Sequence, residues 1–589
     1  MEVLNAVSQV SLEAARRARS AKQPKAEAAA EPKETFKKSE AAPKEQPPKG
    51  MVSYLPQDEG MLPPAQAPMD FEPTSGGPAN ERFKVSVPRN MPVARPDENG
   101  NMVYDLDDPR FDSTNTFYTA NRALEVAEGY LGREIPWGFS NDLERQQMLI
   151  HPHAGGNTAN AFYHSEAGSI NFFHFTDPST SELHRTGTSA DIVAHETGHA
   201  VLDGIRHNYL SSLTVSAGGF HESFGDMLAI LVALNDPTVV EALQQETQGN
   251  LAIPNLVSGV AENLGSVAGK MDGIDTDCLR QALNSHKYKD QHFLPYIDPK
   301  DPFSGLGQEP HAYANLFTGA FYEVLFGLYS VTSSDTSRSF ADALGEARDM
   351  AGMLLMRGTE FAPVGEPTYR EVALAMLKAD QVDFDGALRP LLESVFVGRK
   401  IISQADLEAF DKHEAALPKL TLDRAAIESE EAALEFLDNH RDELKLGKDL
   451  PFEFDQAHTN NRGETFVLYK YYQDVDLEGP DYGVMEGARA RMNGGLVLAF
   501  DAEGKLFASN HDKVTEREIE EVKNHLKSAV SAEMLVASGL TPRSDSASAR
   551  CEPGDRTCKH GKFASQYLQL NVVSEGGKPV LRRSPIVTC

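Results

Sequence analysis

Apolar positions recur at helical spacing through much of the central chain. In Thr116 to Leu131 (TFYTANRALEVAEGYL), Ala123, Val126, Ala127 and Leu131 fall on one face, which predicts a helix. Ala190 to Gly204 and Phe220 to Asn235 read the same way. So does His311 to Tyr329, where Ala314, Phe317, Phe321 and Leu325 line up. Asn160 to Phe175 instead reads as two short strands around a Glu-Ala-Gly-Ser turn. Helical patterning continues to about Leu417. Residues 425–540 then change character. Ile427 to Leu444 predicts a helix and Phe466 to Tyr472 a strand. Gly495 to Ser509 predicts a hairpin over Asp501-Ala-Glu-Gly504, and Glu516 to Val530 another helix. From Ser544 the pattern is loop-like and closes on a strand-like piece.

The N-terminal stretch lacks such patterning. A short helical opening puts Val3, Leu4, Val7 and Val10 on one side, after which Ala, Lys, Glu and Pro dominate. Between Lys22 and Gly50 the only aromatic is Phe36, so little apolar surface is there to offset the entropy of ordering. Asp58 to Asn80, rich in Pro and Gly, reads as linker. The expected organisation is α+β. A disordered arm and linker span 1–82, a β-rich region ending in a helix 83–204, and a helical region 205–417. A small α+β unit spans 425–540 and a cysteine-containing tail 541–589.

Composition narrows the function. The 589 residues include 56 basic and 87 acidic ones, for a net charge of −31. A field of that sign repels phosphate, so no nucleic-acid partner is expected. Nor is a membrane. The apolar run Met227 to Leu234 is bounded by Asp226 and Asn235 and is far shorter than the roughly 18 residues a span needs. Of the cysteines Cys278, Cys551, Cys558 and Cys589, the last three share the tail with His560. A local disulfide, reduced thiols or a small metal site all remain open there. Met1 to Ser20 holds no unbroken apolar core, since Glu2, Asn5, Ser8, Gln9 and Ser11 interrupt it. The expected location is the cytoplasm, or the outside by a route without a classical signal peptide.

The strongest chemical feature is His195-Glu196-Thr197-Gly198-His199. On a helix, positions i and i+4 share a face, so the two imidazoles can hold one Zn²⁺ with Glu196 beside it as a base. A catalytic zinc takes a third protein ligand. His207 does not fit the HExxHxxGxxH spacing, because Leu202 and Ile205 stand where Gly and His are required. Glu222 opens an apolar helix, with Asp226 four residues on and on the same face. Glu222 can ligate the metal while Asp226 reaches the far nitrogen of a ligand imidazole. Alternatively, both are helix N-terminal carboxylates favoured by the dipole.

These residues, with Asn160-Ala-Phe-Tyr163, Asp191-Ile-Val-Ala-His195 through Ala200-Val-Leu-Asp203, Gly219-Phe-His-Glu222-Ser-Phe-Gly-Asp226 and Pro310-His311-Ala-Tyr313, carry a resemblance over roughly residues 85 to 415. The chain resembles the thermolysin-like peptidases of the gluzincin group. The resemblance implies a two-lobed zinc peptidase, with a β-rich N-lobe, an active-site helix and an α-helical C-lobe around a cleft. It implies a zinc-dependent endopeptidase acting on a peptide or protein. His195, His199 and Glu222 would bind one Zn²⁺, Glu196 would be the base, and Asp226 would orient His195. His311 would stabilise the oxyanion, or be a buried structural histidine. Asn160 and Ala161 would pair with substrate backbone. Arg280 would grip a substrate carbonyl, or be a surface helix arginine. The transition-state tyrosine would be Tyr209, the nearest one in a segment a few residues longer than in thermolysin. Calcium is not expected, because Ala233 and Leu234 stand where an acidic ligand is needed, and Asp191 alone reads as a helix N-cap. Residues 466–509 resemble the strand–hairpin pattern of that group's propeptides, so intramolecular regulation by residues 425–540 is a further expectation. Two other readings stay open: a catalytically silent protein of the same fold that binds a partner, and an exported peptidase effector with a single protein target.

Overall fold

The structure is a computed structural model that describes residues 10–22, 49–139, 146–156, 158–177, 180–261, 265, 267, 278–296, 305–538, 568–575, 577–584 and 586–588. It is a mixed α+β chain with several sheets. An eight-stranded mixed sheet runs Ile586–Thr588, Ala161–His164, Ser169–Thr176, Met148–Gly156, Phe83–Val85, Pro78–Ala79, Glu72–Pro73, with Leu183–Arg185 added on Ser169–Thr176. A second sheet, of the C-terminal unit, runs Glu453–Thr459, Thr465–Asp476, Arg489–Phe500, Lys578–Arg583, Leu568–Glu575, Leu535–Ser538, with Leu506–Asp512 on Arg489–Phe500. Helices pack between and around them.

Two helices at the centre are buried almost all round. Ala190–Ile205 is capped by Ser189, whose hydroxyl accepts from the Ile192 amide at 3.1 Å. Val215–Ala233 is capped in the same way by Thr214. Having no dominant polar face, both sit inside the core rather than on its rim. They touch through glycines. A Cβ on Gly198 would lie 2.9 Å from the Gly225 Cα, and one on Gly225 would lie 2.6 Å from the His195 Nδ1. Only the missing side chains let the two backbones approach this closely. The second helix begins five residues before the predicted Phe220. Gly218 and Gly219 fall inside it, where side chains of Arg583 and Tyr369 fill the space a Cβ would need.

The N-terminal reading needs correction. Residues Leu12–Lys22 form a helix whose Ala15 and Ala18 are buried, and Arg16 pairs with Glu346 at 2.6 Å. Lys49–Tyr54 and Ala65–Asp70 pair antiparallel inside the stretch expected to be arm and linker. Backbone pairing needs no apolar side chains, and Val52, Met69 and Phe71 are enough to anchor it in the core. The predicted opening helix over Val3, Leu4, Val7 and Val10, apart from Val10, and residues 23–48 lie outside the described residues. So do Cys551, Cys558, His560 and Cys589.

The tail boundary changes too. Leu568–Glu575 and Lys578–Arg583 belong to the C-terminal sheet, and Ile586–Thr588 crosses to the other sheet. The C-terminal unit is seated on the helices Phe340–Phe361 and Tyr369–Phe384. Phe361 meets Phe466 with ring centroids 5.5 Å apart, and buried Arg357 reaches Glu464 at 2.6 Å.

Candidate metal centre

The helix Ala190–Ile205 presents His195, Glu196 and His199, all fully buried, with one ligand atom of each within 4.8 Å of the others. The i,i+4 spacing sets the two rings 4.5 Å apart and nearly perpendicular, at 85°. Glu222, from the neighbouring helix, brings its carboxylate to 3.3 Å from His195 Nε2 and 3.9 Å from His199 Nε2. Ligands about 2.0–2.1 Å from a tetrahedral ion stand roughly 3.3 Å from one another, so this spacing suits a small cation. His195 Nε2, His199 Nε2 and Glu222 Oε2 are all buried without a hydrogen-bond partner, as are both oxygens of Glu196. Buried polar atoms are rarely left so, and a set aimed at one point fits a cation. Two imidazoles and one carboxylate are a donor set suited to zinc.

Around this core the second layer is dense. Asp226 stands 3.0 Å from His195 Nδ1 and accepts from Thr318 Oγ1 at 3.0 Å. Arg280 donates from Nε to both Asp226 oxygens at 2.9 Å. Burial opposes the Asp226 charge, but Arg280 and His195 outweigh it and lower its pKa. Arg280 is therefore no surface helix residue. It is buried on a two-residue strand, Arg280–Gln281, paired with Gly259–Val260, and what it grips is Asp226.

His311 opens the helix Pro310–Thr332 and sits 3.3 Å from Glu222 through Nε2. Its Nδ1 is held by Glu309, the residue that also caps the helix by accepting from the Ala312 amide at 2.9 Å. Burial works against a charged His311, yet Glu222 and Glu309 overcome it and push its pKa to about 9. Glu222 itself is held well below the usual carboxylate range; burial opposes this, and His311, His199 and His195 prevail. Burial pushes Glu196 up to about 8, with His195 pulling the other way.

Tyr209 is not brought to this centre, contrary to the expectation. It is fully buried and its hydroxyl donates to the Pro363 carbonyl at 2.5 Å, with Arg206, Asp512 and Glu371 as its charged surroundings. His207 turns to Asp203 at 2.8 Å. Asp191 is not the N-cap; it lies in the first turn, two residues after the cap Ser189, and accepts from the Ala261 amide at 3.3 Å. Asn160 accepts from the Ala161 amide through its own side chain at 2.8 Å, and Ala161 begins the strand paired with Ser169–Thr176.

Three participants escaped sequence reasoning. His221 faces His199 with the two Nδ1 atoms 3.1 Å apart. A His199 that ligates through Nε2 carries its proton on Nδ1, so His221 must accept there and place its own proton on Nε2. Burial lowers the His221 pKa to about 4, keeping it the neutral acceptor this requires. Glu309 was hidden as a helix cap. Arg583, about 360 residues beyond Glu222, lies near the first turn of Val215–Ala233, where a Cβ on Gly218 would overlap its guanidinium. The only local signal was the histidine next to Glu222; the arginine left none. No protein-family model matches the chain, and a search of curated proteins finds no match.

Proposed function

We propose that the protein is a zinc-dependent endopeptidase of thermolysin-like, two-lobed architecture, acting on peptide or protein substrates. The observation that carries this reading is the convergence of three buried ligand atoms, none with a hydrogen-bond partner, beside the buried Glu196 carboxylate, which has none either. His195, His199 and Glu222 would hold the ion. A bound zinc supplies Lewis acidity, lowering the pKa of a water and polarising a carbonyl. Glu196 is the proton acceptor, and its raised pKa near neutrality suits a group that takes a proton and gives it up to a leaving amine. His311, held positive by Glu309 and Glu222, is the donor facing a carbonyl oxygen as negative charge develops on it. Asp226 and His221 face Nδ1 of the two rings, which would leave Nε2 of each free to hold the ion. Retention of the base together with the ligand set favours an enzyme over a silent binding protein.

The test is Glu196→Gln. The variant should bind one equivalent of zinc as the wild type does, and lose about 10²–10⁴-fold of chelator-sensitive peptide hydrolysis. Undiminished hydrolysis would defeat the assignment, as would a wild-type protein that takes up no zinc.

A further inference from the structure

The strand Ala161–His164 starts at the pair Asn160 and Ala161 that the sequence resemblance assigns to substrate backbone, and its outer edge is covered just beyond that pair. Ile586, Val587 and Thr588 pair with it antiparallel, opposite His164, Tyr163 and Phe162 respectively. The same chain end enters from the C-terminal sheet, where Lys578–Arg583 pairs parallel with Arg489–Phe500 and antiparallel with Leu568–Glu575. Between the two pairings, Arg583 turns toward the metal centre, within electrostatic reach of Glu222 and Glu309. A side chain at Gly218 would collide with it. One short stretch thus does two things that an extended peptide in the cleft would do. It adds a strand to the edge, and it places a side chain against Gly218, one helical turn before the third ligand.

We propose that Arg583 and the strand Ile586–Thr588 are an intramolecular occupant of the substrate groove, so that the full chain is held in a self-blocked form. The proposal rests on the peptidase reading for what is blocked, but not for the pairing. Edge pairing is a general mode of peptide recognition, in which main-chain hydrogen bonds supply affinity whatever the side chains. A tethered strand acts at an effective concentration in the millimolar range, so a free peptide of similar affinity competes poorly with it. The occupant's charge matches its surroundings: the Arg583 guanidinium lies against Gly218, within electrostatic reach of Glu222 and Glu309, while Arg582 stays in the C-terminal sheet on Glu575.

The experiment uses the full chain. Ile586→Pro and Val587→Pro are made separately. Successive amides of a strand point to opposite sides, so one variant deletes an amide facing Ala161–His164 and the other one facing away, which an edge strand tolerates. Arg583→Gln is a third variant that leaves the backbone donors intact. Three quantities are read on each: hydrogen exchange of the 161–164 amides, turnover of a generic peptide, and binding of a labelled Arg-Arg-Ser-Pro-Ile-Val-Thr peptide to the zinc-loaded protein in a Glu196→Gln background. One proline variant should expose the 161–164 amides, bind the labelled peptide at least tenfold more tightly than the parent, and turn over peptide at least tenfold faster. Arg583→Gln should shift binding and turnover in the same direction by a smaller factor. Faster exchange with unchanged peptide binding overturns the proposal and leaves the peptidase reading intact. Unchanged exchange in both proline variants overturns it as well. Tighter peptide binding with no turnover in any form upholds the occupant and sinks the peptidase reading.

Discussion

Asp226→Asn separates two tasks held by one carboxylate. The side chain is fully buried, 3.0 Å from His195 Nδ1, and accepts both bonds from Arg280 Nε at 2.9 Å. An asparagine keeps the shape and loses the charge. It deprives a guanidinium that is only 3% exposed of the carboxylate it grips. Removing one partner of a buried ion pair costs about 3–5 kcal/mol. The new amide group also turns two protons toward donors that it cannot satisfy. The metal pays less directly. A disturbed outer partner of a ligand imidazole lowers metal affinity about 10–100-fold, or roughly 1.4–2.7 kcal/mol. Stability should therefore suffer more than affinity. The double variant Asp226→Asn/Arg280→Gln removes the stranded charge, and should recover a large part of the stability and none of the affinity. The assays are urea unfolding of the metal-free protein and zinc competition against a chromophoric chelator, on the wild type, both single variants and the double. Zinc affinity within twofold of wild type in Asp226→Asn would refute the reasoning. So would full recovery of affinity in the double variant, which would mean that Asp226 serves Arg280 alone.

Tyr209→Phe should leave peptide turnover within twofold of wild type and lower stability by about 1 kcal/mol in urea unfolding, because the hydroxyl is committed to Pro363. Gly198→Ala should weaken zinc affinity at least tenfold in the chelator assay, since its Cβ would press on Gly225 at 2.9 Å and part the helices that carry the ligands. A pH dependence should come from Glu366, buried under the C-terminal unit, where it accepts from Ser212, Thr214 and the Asn493 amide. Burial raises its pKa from 4.5 to about 8 despite those donors. Between these values the folded chain holds a proton that the unfolded chain has lost, so stability falls as pH rises from about 4.5 toward 8. At about 1.4 kcal/mol per unit, the full effect is a few kcal/mol. Asp112, Asp380 and Glu521 are raised by burial into the same window, so Glu366→Gln should reduce the slope in melting curves recorded from pH 5 to 8 and not abolish it; an unchanged slope would remove Glu366 as a contributor.

The local elements were legible because they depend on near neighbours. The 3.6-residue spacing placed the helices at Thr116, Ala190 and His311 within a few residues, and the Asp501-Ala-Glu-Gly504 turn marked the hairpin between Arg489–Phe500 and Leu506–Asp512. Reading failed where long-range contacts overrule composition. The Pro- and Gly-rich stretch before Phe83 is paired into strands by backbone groups that no hydropathy pattern reports. Gly218-Gly219 lies inside the helix Val215–Ala233, where Arg583 and Tyr369 leave no room for a Cβ.

The sequence by itself determined that His195 and His199 share a face with Glu196 between them, because that follows from one turn of helix. It also marked Glu222 and Asp226 as a pair on a second helix. Tertiary structure alone decided what these groups meet. It closed Glu222 onto both imidazoles across the Gly198–Gly225 contact and gave Asp226 to Arg280. It turned Tyr209 away to Pro363 and laid Ile586–Thr588 along Ala161–His164. Those outcomes join residues tens to hundreds of positions apart. They are set by which surfaces pack without voids or clashes, and a periodicity that spans a few residues carries no record of that.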